Sequence, residues 1–339
     1  MNTVLLDAFG GDNSPNEIIY GAIDALRAKD GFKIALVGDE DKISQILSSF
    51  SGVDYSRIEI INAKEVITCE EEPVKAIMRK KDSTFNVGFK ALKEREEVKA
   101  FISAGSSGAY LVGATLKLGR IDGVDRPALA PILPTVIDNK KVVLLDAGAN
   151  ADCKPINLCQ FAVMGSEFVK ALGVDKPKVA LLSNGTEEEK GNALNHEVYV
   201  LLKNNTLIDF IGNVEAREIL QGKADVVVAD GFSGNVALKS LEGAVKSFTS
   251  LLKKEMLSSL KGKIAGLLLK KTFKKLYSKM DYNQNGGAIL LGVKKAVIKI
   301  HGSSKRVAVK GAILQATELF GFDISEKIST SLSLAGVLK

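Results

Sequence analysis

Five glycine-rich loops carry the residue types best suited to chemistry: Asp7-Ala-Phe-Gly-Gly-Asp12-Asn-Ser-Pro15, Ser103-Ala-Gly-Ser-Ser-Gly108, Asp146-Ala-Gly-Ala-Asn150, Ser183-Asn-Gly-Thr186 with Lys190-Gly191 after it, and Asp230-Gly-Phe-Ser-Gly-Asn235. Glycine lets backbone N–H groups come close to a ligand, and a helix starting just afterwards aims its unpaired N–H groups and positive dipole end at the same place. Such loops suit an oxyanion or a phosphate. The candidates for phosphate and substrate binding are Gly10, Gly11, Asp12, Gly105, Ser106, Ser107, Gly108, Asn150, Asn184, Gly185, Asp230 and Gly234, with His301 in Lys299-Ile-His-Gly-Ser-Ser304 beside another Gly-Ser turn. No GxxxxGK[ST] loop is present and no GxGxxG with an acidic partner follows the first strand, so a nucleotide held in the common ways is not expected.

Individual residues leave alternatives open. The Lys190 ammonium either acts as a point charge on phosphate or is a solvated lysine at a helix start. Asn235 either caps the following helix or presents its amide N–H to a transferring group. Asp7, Asp12, Asp146 and Asp230 either brace the loops by hydrogen bonds or form a divalent-metal site, and bracing is expected, because unmetallated carboxylates repel phosphate. His301 serves either the phosphate edge or local structure, and His196 is expected on a helix face. Cys69, Cys153 and Cys159 read as small buried hydrophobes, with no signature of a covalent Ser or Cys mechanism around them.

The loops need a scaffold that brings them together. Each follows a short apolar run: Thr3 to Leu6, Val98 to Ile102, Lys141 to Leu145, Lys178 to Leu182 and Ala224 to Val228, with further runs at Phe32 to Val37, Arg57 to Ile61 and Leu207 to Ile211. Between them lie stretches with helical spacing, such as Asn16 to Lys29 and Gly191 to Lys203. That alternation predicts an α/β fold with a mainly parallel sheet, and parallel strands place all their C-terminal loops on one edge. Arg126 to Thr135, with three of the seven prolines, predicts an extended edge or interface segment.

The composition agrees with a large buried core: 339 residues, 46% hydrophobic and 25% charged, mean hydropathy +0.11. Three cysteines without metal-ligand spacing suit a reducing cytosol. Acidic residues interrupt the first 20 positions before a secretory core forms, and no run approaches a spanning helix, so a cytoplasmic location is expected. Residues 246–280 hold ten lysines and one glutamate, a local +9, which leaves −3 for the rest of the +6 chain. The whole is expected to be one domain over 1–339, with a protruding basic amphipathic segment over 240–285. Its apolar positions, such as Leu267, Leu268 and Phe273, alternate with lysines such as Lys270, Lys271, Lys274 and Lys275. Such a segment either lies in an anionic headgroup layer or packs on the body with a solvated lysine face. Aromatic scarcity argues against nucleic acid.

In order and spacing the loops resemble the bacterial phosphate acyltransferase family PlsX. The matching stretches are Asp7 to Pro15, Ser103 to Ala109, Arg126 to Pro131, Leu145 to Asp152, Gly185 to Asn192, Gly212 to Arg217, Ala229 to Gly243 and Gly286 to Ser304. The sequence departs modestly at Ser106-Ser107, Phe9 and Ser183-Asn184. The resemblance implies a three-layer Rossmann-like body akin to the isocitrate and isopropylmalate dehydrogenases and to phosphate acetyltransferase. It also implies a homodimer without cofactor or metal, with phosphate contacts at Lys190 and Asn235. The implied reaction converts acyl-[acyl carrier protein] and inorganic phosphate to acyl phosphate, early in phospholipid synthesis. The implied setting is the inner face of the membrane, beside a membrane-bound glycerol-phosphate acyltransferase that takes the product. Arg79, Lys80 and Lys81 are candidates for docking the acidic carrier. The competing readings are a metal- and nicotinamide-dependent decarboxylating dehydrogenase using Asp146 and Asp230, and a non-catalytic membrane-surface scaffold.

Overall fold

The computed structural model describes residues 1–273, 276 and 286–337. Its strands fall into two sheets. The seven-stranded sheet uses β1 (Thr3–Asp7), β2 (Lys33–Gly38), β3 (Ile58–Asn62), β4 (Val98–Ser103), β5 (Ala128–Ala130), β11 (Ala288–Leu291) and β12 (Ala296–Lys299), in the order β3-β2-β1-β4-β12-β11-β5. The five-stranded sheet uses β6 (Ile132–Pro134), β7 (Lys141–Leu145), β8 (Lys178–Ser183), β9 (Asp209–Glu215) and β10 (Val226–Val228), in the order β6-β7-β10-β8-β9. Pairing is parallel except where β11 meets β12 and β5 and where β6 meets β7.

All eight apolar runs become strands, rich in residues that pack well on a pleated surface; the central ones are buried on both faces, and the edge strands β3 and β9 are only partly buried. The run at Leu207 to Ile211 starts late, at Asp209, and continues to Glu215. The proline-rich segment supplies β5 and β6, one edge strand in each sheet, with Pro131 between them at the crossing. Proline has no N–H to donate, so an edge is where it is tolerated. The hairpin of β11 and β12 is not marked by alternation in the sequence, since it inserts antiparallel strands late in the chain.

Helices cover the sheets: α1 (Asn16–Ala28), α2 (Glu40–Leu47), α3 (Pro73–Arg79), α4 (Thr84–Glu94), α5 (Ser107–Leu118), α6 (Pro155–Ala171), α7 (Ala193–Lys203), α8 (Gly231–Leu257), α9 (Leu260–Leu268), α10 (Arg306–Glu318) and α11 (Ile324–Leu334). The core continues from one sheet to the other through α6, whose Phe161, Met164 and Phe168 are fully buried. α8 is different. Its start is anchored, with Gly231, Gly234, Ala237 and Leu238 buried, but from residue 239 to 273 no side chain is buried. α9 folds back on α8, leaving Leu267 and Leu268 exposed at 74% and 79%. The basic segment therefore does not pack its apolar face on the body. Lys274, Lys275 and 277–285 of that segment lie outside the described residues. Among the described residues no helix is long and apolar enough to cross a membrane.

Candidate active site

One carboxylate braces the loop after β7 and ties it to β5. Asp146 is fully buried and accepts five hydrogen bonds, from the backbone N–H groups of Leu129, Gly148, Ala149 and Asn150 and from the Asn150 amide, at 2.7–3.1 Å. Burial nonetheless holds its pKa above the ordinary range. Asp230 is the N-cap of α8, accepting from the Ser233 N–H at 2.8 Å. α8 then starts against the Asp146 loop so closely that a Cβ on Gly234 would stand 1.9 Å from the Asp146 carbonyl oxygen. Asp7 plays the matching part in the other sheet, accepting from Ser103 Oγ at 2.6 Å and Phe9 N–H at 3.2 Å, with its pKa raised by burial. Bracing is thus the use of these aspartates. With both of its oxygens engaged inside the braced turn, Asp146 does not fit one half of the metal-ligand pair of a decarboxylating dehydrogenase.

Asn235 lies four residues past the first residue of α8, so it is not the cap. Its side chain sits over Gly148, whose φ of +125° is a backbone conformation that favours glycine, and its amide has no partner among the described residues. This amide borders a cleft of about 360 Å³ between the two sheets. The cleft is shared by Ser107 at the start of α5, Gly148, Asn235, Lys239 on α8, Lys299 at the end of β12, and His301, Gly302 and Ser304 just beyond it. Gly302 also ties in the first loop, because its carbonyl accepts from Asp12 N–H at 2.8 Å.

Of the predicted residues, the structure gathers Ser107, Asn235 and His301 around this cleft. Gly10, Gly11, Asp12, Gly105, Ser106 and Gly108 form its supporting loops, with Ser106 capping α5. Asn150, Asp230 and Gly234 lie in the braced turn beside it. Asn184, Gly185 and Lys190 stand apart, at the C-terminal end of β8 two strands from β7. There the Lys190 chain folds over Gly185, and its exposed ammonium has no partner among the described residues. The Asn213 amide pins this loop through Glu187 O at 2.8 Å, and His196 on α7 lies 2.9 Å from Glu189 O.

Three cleft residues were not singled out by type and spacing. Lys299 is only 7% exposed and donates to the Ile300 carbonyl. Burial lowers its pKa to about 8, against the opposing pull of Cys69, Asp7 and Asp12. The signal for it was a lysine interrupting the apolar run Ala296-Val-Ile-Lys-Ile300. Ser304 Oγ is buried with no partner, which points to a ligand that would satisfy it. Lys239 pairs with Glu242 at 3.0 Å and, after burial, is the next cause holding the His301 pKa below its ordinary value. His301 Nδ1 accepts from the Ser303 N–H at 3.2 Å, so the neutral ring carries its proton on Nε2.

The cysteines divide. Cys159 is buried and Cys153 half-buried, each with its thiol pushed up to about 11 by burial. Cys69 is exposed, contrary to expectation, because it falls in the surface turn that leads into α3. Of the docking candidates, Lys80 is spent internally on Val66 O at 2.7 Å and Glu71 at 2.8 Å, while Arg79 and Lys81 remain exposed.

Residues 2–327 match the model of the fatty acid synthesis protein family. A phosphate acyltransferase of Thermoanaerobacterium thermosaccharolyticum is 48% identical over 334 residues, which cover 98% of this chain and 97% of that protein. Among solved structures, a phosphotransacetylase from Streptococcus pyogenes superposes with a TM-score of 0.59 at 17% identity, covering 96% of this chain and 94% of that one. A 4-hydroxythreonine-4-phosphate dehydrogenase from Klebsiella pneumoniae does so with a TM-score of 0.54 at 13% identity, covering 96% and 100%. These two share the fold. By the family match and the near-complete similarity to a phosphate acyltransferase, the chain belongs to the fatty acid synthesis protein family and is an acyltransferase.

Proposed function

We propose that the enzyme transfers an acyl group from acyl-[acyl carrier protein] to inorganic phosphate, early in phosphatidic acid synthesis. The observation that carries this reading is the cleft between the sheets, where an unpartnered Asn235 amide and an unpartnered buried Ser304 hydroxyl face the same space as Lys299 and His301. Inorganic phosphate is largely ionised at neutral pH and attacks a thioester carbonyl without a strong base. A phosphate oxygen bonds to the carbonyl carbon, the oxyanion collapses, and the C–S bond breaks with its electron pair leaving on the carrier's thiolate, which takes a proton from water. The protein's task is positioning and charge stabilisation. The Asn235 amide N–H faces the developing oxyanion, Lys299 supplies cationic charge for phosphate inside the cleft, and the exposed Lys190 ammonium, on the β8 loop outside it, is a second phosphate contact.

Delivery of the product belongs to the exposed hairpin. α8 and α9 enclose an apolar groove of about 910 Å³ lined by Phe248, Leu252, Met256, Leu267 and Phe273, with Lys253, Lys263 and Lys270 around it. Apolar side chains among lysines suit the headgroup layer of an anionic membrane. On this reading the enzyme is cytoplasmic and peripheral, works as a homodimer, and passes acyl phosphate to a membrane-bound glycerol-phosphate acyltransferase. The test is incubation with a carrier-bound thioester and phosphate, followed by trapping with hydroxylamine. Hydroxamate that forms only with phosphate present supports the reading, and thioester consumption independent of phosphate refutes it.

A further inference from the structure

Beside the cleft, on the other side of Leu111 of α5, lies a second cavity of about 400 Å³. Both cavities use Leu111, and the turn that lends Ala147 and Gly148 to the cleft lends Ala149 and Asn150 to its neighbour. The neighbour's wall holds two arginines and one carboxylate, Arg120, Asp125 and Arg126. Arg120 is committed, donating to the Asp125 carbonyl and lying 3.8 Å from the Asp125 carboxylate. Arg126 is exposed and has no hydrogen-bond or ion-pair partner among the described residues. Leu111, Val112, Pro127 and Leu290 form an apolar side of the wall, and Thr115 and Asn150 add neutral polar groups.

An acyl carrier presents its thioester on a phosphopantetheine arm, a slender chain of amides and methylenes ending in a phosphodiester. If the thioester carbon is to reach Asn235, the arm must leave the cleft along some wall. The second cavity offers an apolar channel side for the chain and a free guanidinium for the phosphodiester. A guanidinium fork matches two phosphate oxygens better than any other side chain does. The docking candidates lie at a consistent place. Added Cβ atoms on Gly108 and Gly113 of α5 would meet Pro73 and Ile77 of α3 respectively, so the two helices run side by side in the same direction. Arg79 and Lys81, at the end of α3, are therefore level with the end of α5 that carries Thr115 and leads to Arg120.

We propose that Arg126 binds the phosphodiester of the phosphopantetheine arm and that the cavity between α5 and the Asp146 turn is the arm's channel. This rests on the carrier-thioester reading of the cleft. Recognition of the arm separates two tasks in one enzyme: the cleft holds the attacking phosphate, and Arg126, on the wall of the neighbouring cavity, holds the donor's own phosphate. A specificity for carrier-bound over simple thioesters follows directly.

The experiment compares 4′-phosphopantetheine with pantetheine, which lacks only the phosphate, by calorimetric binding to the wild-type enzyme and to Arg126→Gln and Arg126→Lys. Wild-type enzyme should bind the phosphorylated arm about 10- to 100-fold more tightly, as expected for a hydrogen bond to a charged group, and Arg126→Gln should abolish that preference while Arg126→Lys keeps part of it. In turnover, Arg126→Gln should raise KM for the acyl-phosphopantetheine thioester and leave KM for inorganic phosphate and the rate with acyl-pantetheine unchanged. Equal binding of the two arms by wild-type enzyme overturns the proposal. So does a raised KM for inorganic phosphate, which would assign Arg126 to the attacking anion. Wild-type enzyme that binds the arm but forms no acyl phosphate from any thioester would instead overturn the reading of the cleft, leaving the arm site in place.

Discussion

Replacing Lys299 with methionine should make the enzyme more stable and less active. The lysine is almost fully buried, and burial lowers its pKa from 10.5 to about 8. A difference of about 2.5 units at about 1.36 kcal/mol each means that the charged form costs the fold about 3 kcal/mol at pH 7. Methionine has similar length and no charge, so the substitution removes that cost and forfeits the hydrogen bond to the Ile300 carbonyl, worth about 1 kcal/mol. The net gain is about 2 kcal/mol, or roughly 3 °C in melting temperature for a chain of this size. The sign also fixes the pH dependence. Between pH 8 and 10.5 the unfolded chain holds a proton that the folded chain has released, so the wild type gains stability as pH rises through that window, and the gap between the two proteins should close near pH 10.5. Thermal melts at pH 7 and pH 10.5 measure this. In parallel, KM for phosphate should rise in Lys299→Met, and in the wild type it should rise as pH passes about 8, where the cation is lost, whereas Lys299→Arg should show no such step. A methionine variant less stable than wild type at pH 7, or a gap that persists at high pH, would refute this account of the buried charge.

Lys190→Ala, at an exposed position with a free ammonium, should lose activity roughly 10²-fold with an unchanged melting temperature; wild-type kinetics would remove it from phosphate binding. Asn235→Ala should cost a similar factor in kcat without loss of stability, since Asp230 and not Asn235 caps α8. Gly234→Ala should cost about 3 kcal/mol or more in a denaturant titration, because its Cβ has no space beside the Asp146 carbonyl and neither backbone can yield cheaply. Leu267→Glu with Leu268→Glu should release the enzyme from anionic vesicles in co-sedimentation and leave its melting temperature unchanged, both side chains being largely exposed. A marked drop in melting temperature would place them in packing instead.

Two kinds of information are separated in this chain. Local pattern carried eight of the strands, the loops after them and the basic segment: apolar β-branched runs bounded by turns read as strands, glycine-rich turns follow five of them, and ten lysines among apolar residues over 246–280 read as an amphipathic segment whose packing the pattern left open. The family resemblance, read from the same loops, carried the acyltransferase assignment. What local pattern did not contain was adjacency. Periodicity says that β1 and β7 are strands but not that they belong to different sheets, because pairing is a long-range choice decided by core packing across α6. Hence Lys299 and Ser304, remote in sequence from Asn235, become its neighbours only after folding, and Lys190, at a loop of the same type, is left at the end of β8. The same holds for the charges. A lysine's type fixes that it bears a proton in water, but only its burial, against the opposing pull of Asp7 and Asp12, decides that Lys299 gives that proton up near pH 8.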